Sequence, residues 1–410
     1  MLLTMAWRNL SRNRRRSLVT IVAIALGVAS VTLFGGYVAN VYAGLASQAI
    51  HGEKLGHLTI AKQGYFEFGE VDQENYVFSA EEVEQVRSLL ADDMDVTLIS
   101  PRLSARGLVS DGRISTIFIG DAVATADLAT IRADYGASSG LESGSLDPEN
   151  PYGVALAENL AKALDLKVGD SGVIFGATLD GQANAIDFEV SDVYNTGNAA
   201  TNDKFILLPL DIAQQLLDTQ GAERLTVLLT DKGLTGAKRA EIEARLNTAG
   251  LGVELRTWEE LSSFYGQVRQ LFNMIFSFIF SIVVIVALMS IINTMSMVVV
   301  ERTKEIGTLR ALGMQRGTVM RLFSFEGMLL ALLGGALGLG MLFLIGGGVN
   351  VADLSYTPPN SSTQVPLQVD FPVAVIVTSV LAVLACAVAA SILPARKAAR
   401  SMISESLHHA

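Results

Sequence analysis

Few residues of this 410-residue chain have the types and spacing that chemistry requires. His51 and His57 stand six apart with no obvious partners, which reads as surface or packing histidine rather than a metal pair. The single cysteine, Cys386, lies in a hydrophobic run, so there is no intrachain disulfide and no thiolate metal site. Carboxylates are plentiful, yet no Ser-His-Asp, Cys-His or His-Glu-x-x-His pattern organises them. They read as a solvated acidic face, with a docking surface for a protein or cargo as the second reading. No Gly-x-x-x-x-Gly-Lys-[Ser/Thr] phosphate loop occurs. What remains is recognition chemistry in one stretch, Glu301-Arg302-Thr303-Lys304-Glu305-Ile306-Gly307-Thr308-Leu309-Arg310-Ala311-Leu312-Gly313. A short helix here would set Ile306, Leu309 and Leu312 on one side as apolar knobs, with Glu301, Arg302, Lys304, Glu305 and Arg310 around them to fix register. Gly307 and Gly313 permit close approach or a sharp exit.

The elements that must position this stretch are hydrophobic. Half the residues are apolar, 17% are charged and the mean hydropathy is +0.41, which argues against one ordinary soluble core. The composition is uneven, because residues 46 to 269 hold 35 of the 41 acidic and 17 of the 30 basic side chains. The expected fold is therefore membrane α-helical, with four transmembrane helices and a large extracytoplasmic α+β domain inserted between helices 1 and 2. Its overall negative charge describes neither part and supports no nucleic-acid partner.

In chain order, residues 1–16 read as a cytoplasmic amphipathic basic helix, with Trp7 at headgroup depth and five arginines near membrane lipids. Residues 17–45 form the first span. Its uncharged run is far longer than the 7 to 15 residues of a signal-peptide core, so it reads as a retained anchor. Ala23 with Gly27, and Gly35 with Ala39, are small residues four apart that let another helix approach. The extracytoplasmic domain covers 46–256, with strands around Leu58–Ile60, Val96–Ile99 and Ser115–Ile119, a helix over Ala80–Leu90, and two subdomains divided near 136–150 with a return segment. Residues 257–300 follow as a stalk plus second span. Thr257 with Glu260 makes a capping box, and a helix of about 44 residues from there would be ~66 Å long, twice the ~30 Å hydrocarbon core. The charged segment 301–321 turns back into a third span at 322–352, where Gly334 with Gly338, and Ala336 with Gly340, mark close helix packing. Glu326 sits near the start of that span, five residues past Arg321, at a depth that suits pairing or snorkelling better than ion transport. A loop at 353–370, a fourth span at 371–393 and a basic tail at 394–410 complete the chain.

The segments 1–16, 301–321 and 394–410 hold five, five and three basic residues. Short segments rich in Lys and Arg stay cytoplasmic, which puts both termini and the 301–321 turn inside and residues 46 to 269 outside.

One span, a large outer domain and three further spans resemble the MacB and FtsX-like permease superfamily of ABC transporters, and within it the lipoprotein-releasing permeases of the LolC and LolE type. The matching stretches are Ala6-Trp7-Arg8-Asn9-Leu10-Ser11-Arg12-Asn13-Arg14-Arg15-Arg16, the Leu156–Asp170 pattern, the Glu301–Gly313 turn and Pro394-Ala395-Arg396-Lys397-Ala398-Ala399. The resemblance implies that Glu301 to Gly313 is a coupling helix docking on a cytoplasmic ABC ATPase present in two copies, which binds the ATP and Mg. This chain would itself bind no cofactor and be no enzyme. The resemblance further implies a second permease subunit in a homodimer or heterodimer, a periplasmic carrier or adaptor, and a bacterial inner membrane with a periplasmic domain. ATP hydrolysis would reach that domain by mechanotransmission, for lipoprotein or lipid release or export of a hydrophobic cargo. Within the same resemblance, the alternatives are FtsX-like regulation of a cell-wall hydrolase and MacB-like efflux of small molecules or peptides.

Overall fold

The computed structural model describes residues 2–12, 14–69, 71–133, 144–197, 201–357 and 364–400. The sequence readings at 136–143, at Pro358-Pro359 and over 401–410 lie outside the described residues. The chain divides into two units. One holds residues 1–42, 268–354 and 366–410, and the other holds 43–267 and 355–365.

The first unit is helical. After α1 (Leu2–Arg12) come four long helices: α2 (Arg14–Ser47), α8 (Ser263–Glu301), α10 (Arg316–Val351) and α11 (Val373–Arg400). Each is long and apolar enough to cross a membrane. A short helix, α9 (Thr303–Ala311), connects α8 to α10. The core is a column of Ile24 and Val28 from α2, Ile291 and Met295 from α8, Phe323 and Leu330 from α10, and Val383 and Ala387 from α11. Large apolar side chains such as Phe278, Met289 and Leu344 stay exposed on the outer faces. In water this would be costly, and in lipid it is the expected arrangement.

The capping box at Thr257 forms: Glu260 N–H donates to Thr257 Oγ1 at 3.3 Å, and Thr257 N–H donates to the Glu260 carboxylate at 3.0 Å. It caps only the single turn Trp258–Leu261, because Ser262 leaves helical geometry with ψ 88°. The long helix α8 starts afresh at Ser263. It has 39 residues, or ~58 Å at 1.5 Å per residue, instead of a continuous rod from Thr257.

The second unit is α+β and carries two cores. Strands β1 (Leu58–Lys62), β2 (Val96–Ser110), β8 (Arg224–Leu229) and β9 (Val253–Thr257) form an antiparallel sheet in the order β2-β8-β1-β9. Helices α3 (Ala80–Leu90) and α7 (Thr235–Thr248) connect β1 to β2 and β8 to β9, which makes a split βαβ arrangement with a long insertion between β2 and β8. Leu58, Ile60, Val86, Leu225, Val227, Ile242 and Leu246 fill this core.

The insertion adds β3 (Ser115–Val123), α4 (Thr125–Arg132), β4 (Gly153–Ala157), α5 (Glu158–Leu164), β5 (Ser171–Ala177), β6 (Ala183–Tyr194), β7 (Phe205–Pro209) and α6 (Leu210–Leu217). Strand β2 is long enough to serve both cores. Its first half pairs with β8, and its second half pairs with β3 on one side and β5 on the other. With the pairings β3–β7, β7–β4, β4–β6 and β6–β5 the sheet closes on itself as a six-stranded ring without free edges. Helix α6 packs against β2, β3, β5, β6 and β7. Leu103, Phe118, Leu156, Ile174, Val190, Leu208, Ile212 and Leu216 share the second core. The change from one core to the other falls in the middle of β2.

Candidate functional site

Helix α9 begins where Arg302 departs from helical geometry, and ends at Leu312 with Gly313 at φ +100°, a left-handed exit that glycine takes without a Cβ penalty. Ile306 is 5% exposed and belongs to the apolar core of the helical unit, with Gly307 buried beside it. Lys304, Thr308, Ala311 and Leu312 are exposed, Leu312 to 80%. Their spacing of four, seven and eight places them on one face. The expectation that Ile306 and Leu312 share a face is corrected: six residues at ~100° each set them about 120° apart around the helix, with Ile306 buried and Leu312 exposed. The Leu309 side chain lies outside the described residues.

Three charges of this segment, Glu301, Arg302 and Glu305, are engaged within the chain. Arg302 Nε contacts Glu305 Oε2 at 2.8 Å, and Arg302 Nη1 contacts Glu326 Oε1 at 3.1 Å. Glu305 also pairs with Arg12 Nη1 at 3.1 Å, and Glu301 pairs with Arg16. Asn9 donates its side-chain amide to the same Oε1 of Glu326. The hydrogen bond from Arg302 is the main reason that the Glu305 carboxyl lies below its usual range. Arg302, Glu305 and Glu301 are thus tied to α1, α2 and α10, where sequence reasoning had them arranged around the docking knobs. Of the charged residues of the segment, Glu301 and Lys304 are exposed, and Arg302, Glu305 and Arg310 are partly so.

The small residues fall into two groups. A Cβ on Gly334 would lie 2.7 Å from Ile24 Cβ, one on Gly338 2.7 Å from the Ala25 carbonyl, and one on Gly27 2.7 Å from Val283 Cγ1. These are places where α2 meets α10 or α8 at backbone distance. A Cβ on Gly340 would meet nothing within 4 Å among the described residues.

The α+β unit holds a buried ionic cluster that sequence reasoning missed. Asp121 accepts from Arg102, which is 1% exposed, and pairs with Arg224 at 3.2 Å and Lys54 at 3.8 Å. Burial alone would raise the Asp121 carboxyl, but Arg102, Lys54 and Arg224 outweigh it and hold it low. Burial pushes the Lys54 ammonium down to about 8, against the pull of Asp121. Glu223, 2% exposed, accepts from Gln73 at 2.9 Å and Ser104 at 2.5 Å, and lines a cleft of about 340 Å³ with Tyr65, Asp72, Arg106 and Arg224. The available signal was a charge inside a strand among small and apolar neighbours, as at Asp121 in β3. His51 Nδ1 is 2.7 Å from the Ile131 carbonyl, and His57 Nδ1 accepts from Leu229 N–H at 3.0 Å. Both rings are engaged by backbone, and among the described residues no group of three His, Cys, Asp or Glu could hold a metal.

Residues 17–245 match the family described as MacB-like periplasmic core domain, and residues 277–403 match the one described as FtsX-like permease C-terminal. An ABC transporter permease of Methanocaldococcus jannaschii is 25% identical over 349 residues, which cover 82% of each chain. The lipoprotein-releasing system transmembrane protein LolC of Xylella fastidiosa (strain Temecula1) is 23% identical over 292 residues, 66% of this chain and 68% of that protein. The pyoverdine export ATP-binding/permease protein PvdT of Pseudomonas fluorescens (strain Pf0-1) is 26% identical over 255 residues, 62% of this chain. The match spans 34% of the length of PvdT.

Proposed function

This chain belongs to the FtsX-like and MacB-like permeases of ABC transporters, and from that premise we propose that it couples a separate cytoplasmic ATPase to its outer domain. The observation that carries the reading is the division of α9 into two faces. One side is anchored by Ile306 and by the ion pairs of Arg302 and Glu305, and the other presents Lys304, Thr308, Ala311 and Leu312 outward. An anchored helix with an exposed Leu beside an exposed Lys suits a protein socket, since the apolar side chain supplies burial and the charge supplies register.

In this proposal two ATPase copies close on ATP and move the α9 helices of two permease subunits. The 39-residue α8, nearly twice the ~30 Å hydrocarbon core in length, extends that movement toward the α+β unit. Both termini and α9 lie in the cytoplasm, and the α+β unit lies outside the inner membrane. The cargo class we favour is a lipoprotein, lipid or other hydrophobic molecule taken from the membrane surface. The similarity to LolC supports this, as do spans in which Glu326 is a buried charge already paired.

Replacing Leu312 with Glu should lower retention of the ATPase on the purified complex by about tenfold, the size of a hot-spot loss of ~1.4 kcal/mol or more. Trp258, packed on Tyr265 at 4.7 Å in the α+β unit, reports that the outer domain stays folded. Retention equal to wild type in Leu312→Glu and Lys304→Glu alike would remove the docking claim.

A further inference from the structure

Glu326 is a charged group within a membrane-crossing helix, yet it is only 1% exposed. A carboxylate so enclosed persists when partners compensate its lost hydration, and it has two, both on Oε1. Arg302 comes from the residue that joins α8 to α9, and Asn9 from α1. One oxygen atom thus connects three separate segments of the helical unit. The other ionic ties of this region differ in kind. The Arg12 and Glu305 side chains are 78% and 43% exposed, and those of Arg16 and Glu301 are 42% and 39% exposed. Water and salt screen such pairs, so they hold geometry weakly.

The position of Glu326 along α10 matters as well. Its neighbour Gly327 is where α10 meets α11, since a Cβ there would lie 2.7 Å from Ser391 Cβ. Three residues earlier Phe323 is fully buried in the column that also holds Ile306 of α9. A push on α9 therefore meets α10 at a point that is packed on its far side and has no slack.

We propose that Glu326 is a positioning residue, the joint that locks the root of α9 to α1 and α10 so that displacement of α9 moves the membrane helices as one body. The inference rests on the docking reading of α9. It assigns the buried pair a role in transmission, while the outer face of α9 handles attachment.

The test uses the full chain with its ATPase, with Cys386→Ala as background and a fluorescent label at Asp187→Cys on the exposed surface of the α+β unit. Glu326→Gln keeps shape and the Asn9 contact but removes the ion pair. It should retain the ATPase as wild type does, while the ATP-dependent response of the label falls about tenfold, within the usual range of coupling strengths. Trypsin cleavage after Arg12 in the absence of ATPase should accelerate about fivefold as α1 is released. Asn9→Asp, which sets a second carboxylate beside Glu326, should give the same two changes. The exchanged pair Arg302→Glu with Glu326→Arg should restore at least part of the response. A wild-type response and wild-type cleavage in Glu326→Gln overturn the inference, and so does loss of ATPase retention in that variant, which would make Glu326 part of the attachment. Absence of ATPase on the wild-type chain overturns the docking reading itself and this inference with it.

Discussion

A lysine ammonium removed from water is costly, and Lys54, 5% exposed, carries that cost beside Arg102 as well as Asp121. The sign of the pH dependence follows from its lowered position, about 8 against an ordinary 10.5. Below pH 8 both folded and unfolded chains hold the proton, and the folded chain bears the burial penalty. Between about 8 and 10.5 the unfolded chain binds more protons, so stability rises with pH through that window. The gain expected is up to ~3 kcal/mol. Following Trp258 fluorescence during unfolding of the full chain in a Trp7→Phe background should show this rise, and Lys54→Met should flatten it. Equal pH profiles for the two chains would mean that Lys54 is hydrated in solution. The same scale explains what could be read in advance. The order of charges in Glu301–Gly313 marks a recognition segment, but Arg302 and Glu326 are 24 positions apart and Asn9 is 317 from Glu326, so no local pattern announces their meeting.

Among elements, α10 separates a legible signal from an ambiguous one. Small residues four apart read as helix contacts at Gly334, Gly338 and Gly340 alike, yet which of them faces a neighbour depends on the rotation of α10 in the bundle. Gly334→Ala and Gly338→Ala must displace Ile24 Cβ and the Ala25 carbonyl, groups that cannot swing aside. Each should destabilise the helical unit by ~1–3 kcal/mol. Gly340→Ala meets nothing and should be neutral or slightly stabilising, because Ala is the better helix former. Apparent melting temperatures of the full chain in detergent separate the two outcomes, and a drop at Gly340 as large as at Gly334 would show a further neighbour there in the assembled protein. The start of α8 teaches a related lesson. The box Thr257–Glu260 is a true cap, but one turn later the ψ of Ser262 ends the helix, and a cap specifies where a helix begins without specifying how far it runs.

For the whole molecule, composition separates two environments: long helices with exposed Phe, Met and Leu, and an acidic α+β unit built around two cores. The positive-inside balance makes a concrete expectation. In intact cells stripped of any outer envelope, a membrane-impermeant thiol reagent should label Asp187→Cys at once. Lys304→Cys should be labelled only after permeabilisation, with Cys386→Ala as background in both. The reverse pattern would invert the orientation and place α9 out of reach of a cytoplasmic ATPase.

Sequence alone determined the four apolar helices, the acidic insertion and the family, because hydropathy over some twenty residues and an ordered motif are properties of contiguous chain. Tertiary structure alone decided that β2 serves two cores and closes a six-stranded ring, because strand pairing joins residues far apart in sequence. It also decided that Ile306 turns inward while Leu312 turns outward, and that Glu326 gathers Arg302 and Asn9 onto one oxygen. The physical reason is common to all three: the face an element presents, and the partner a charge finds, are set by what packs against it.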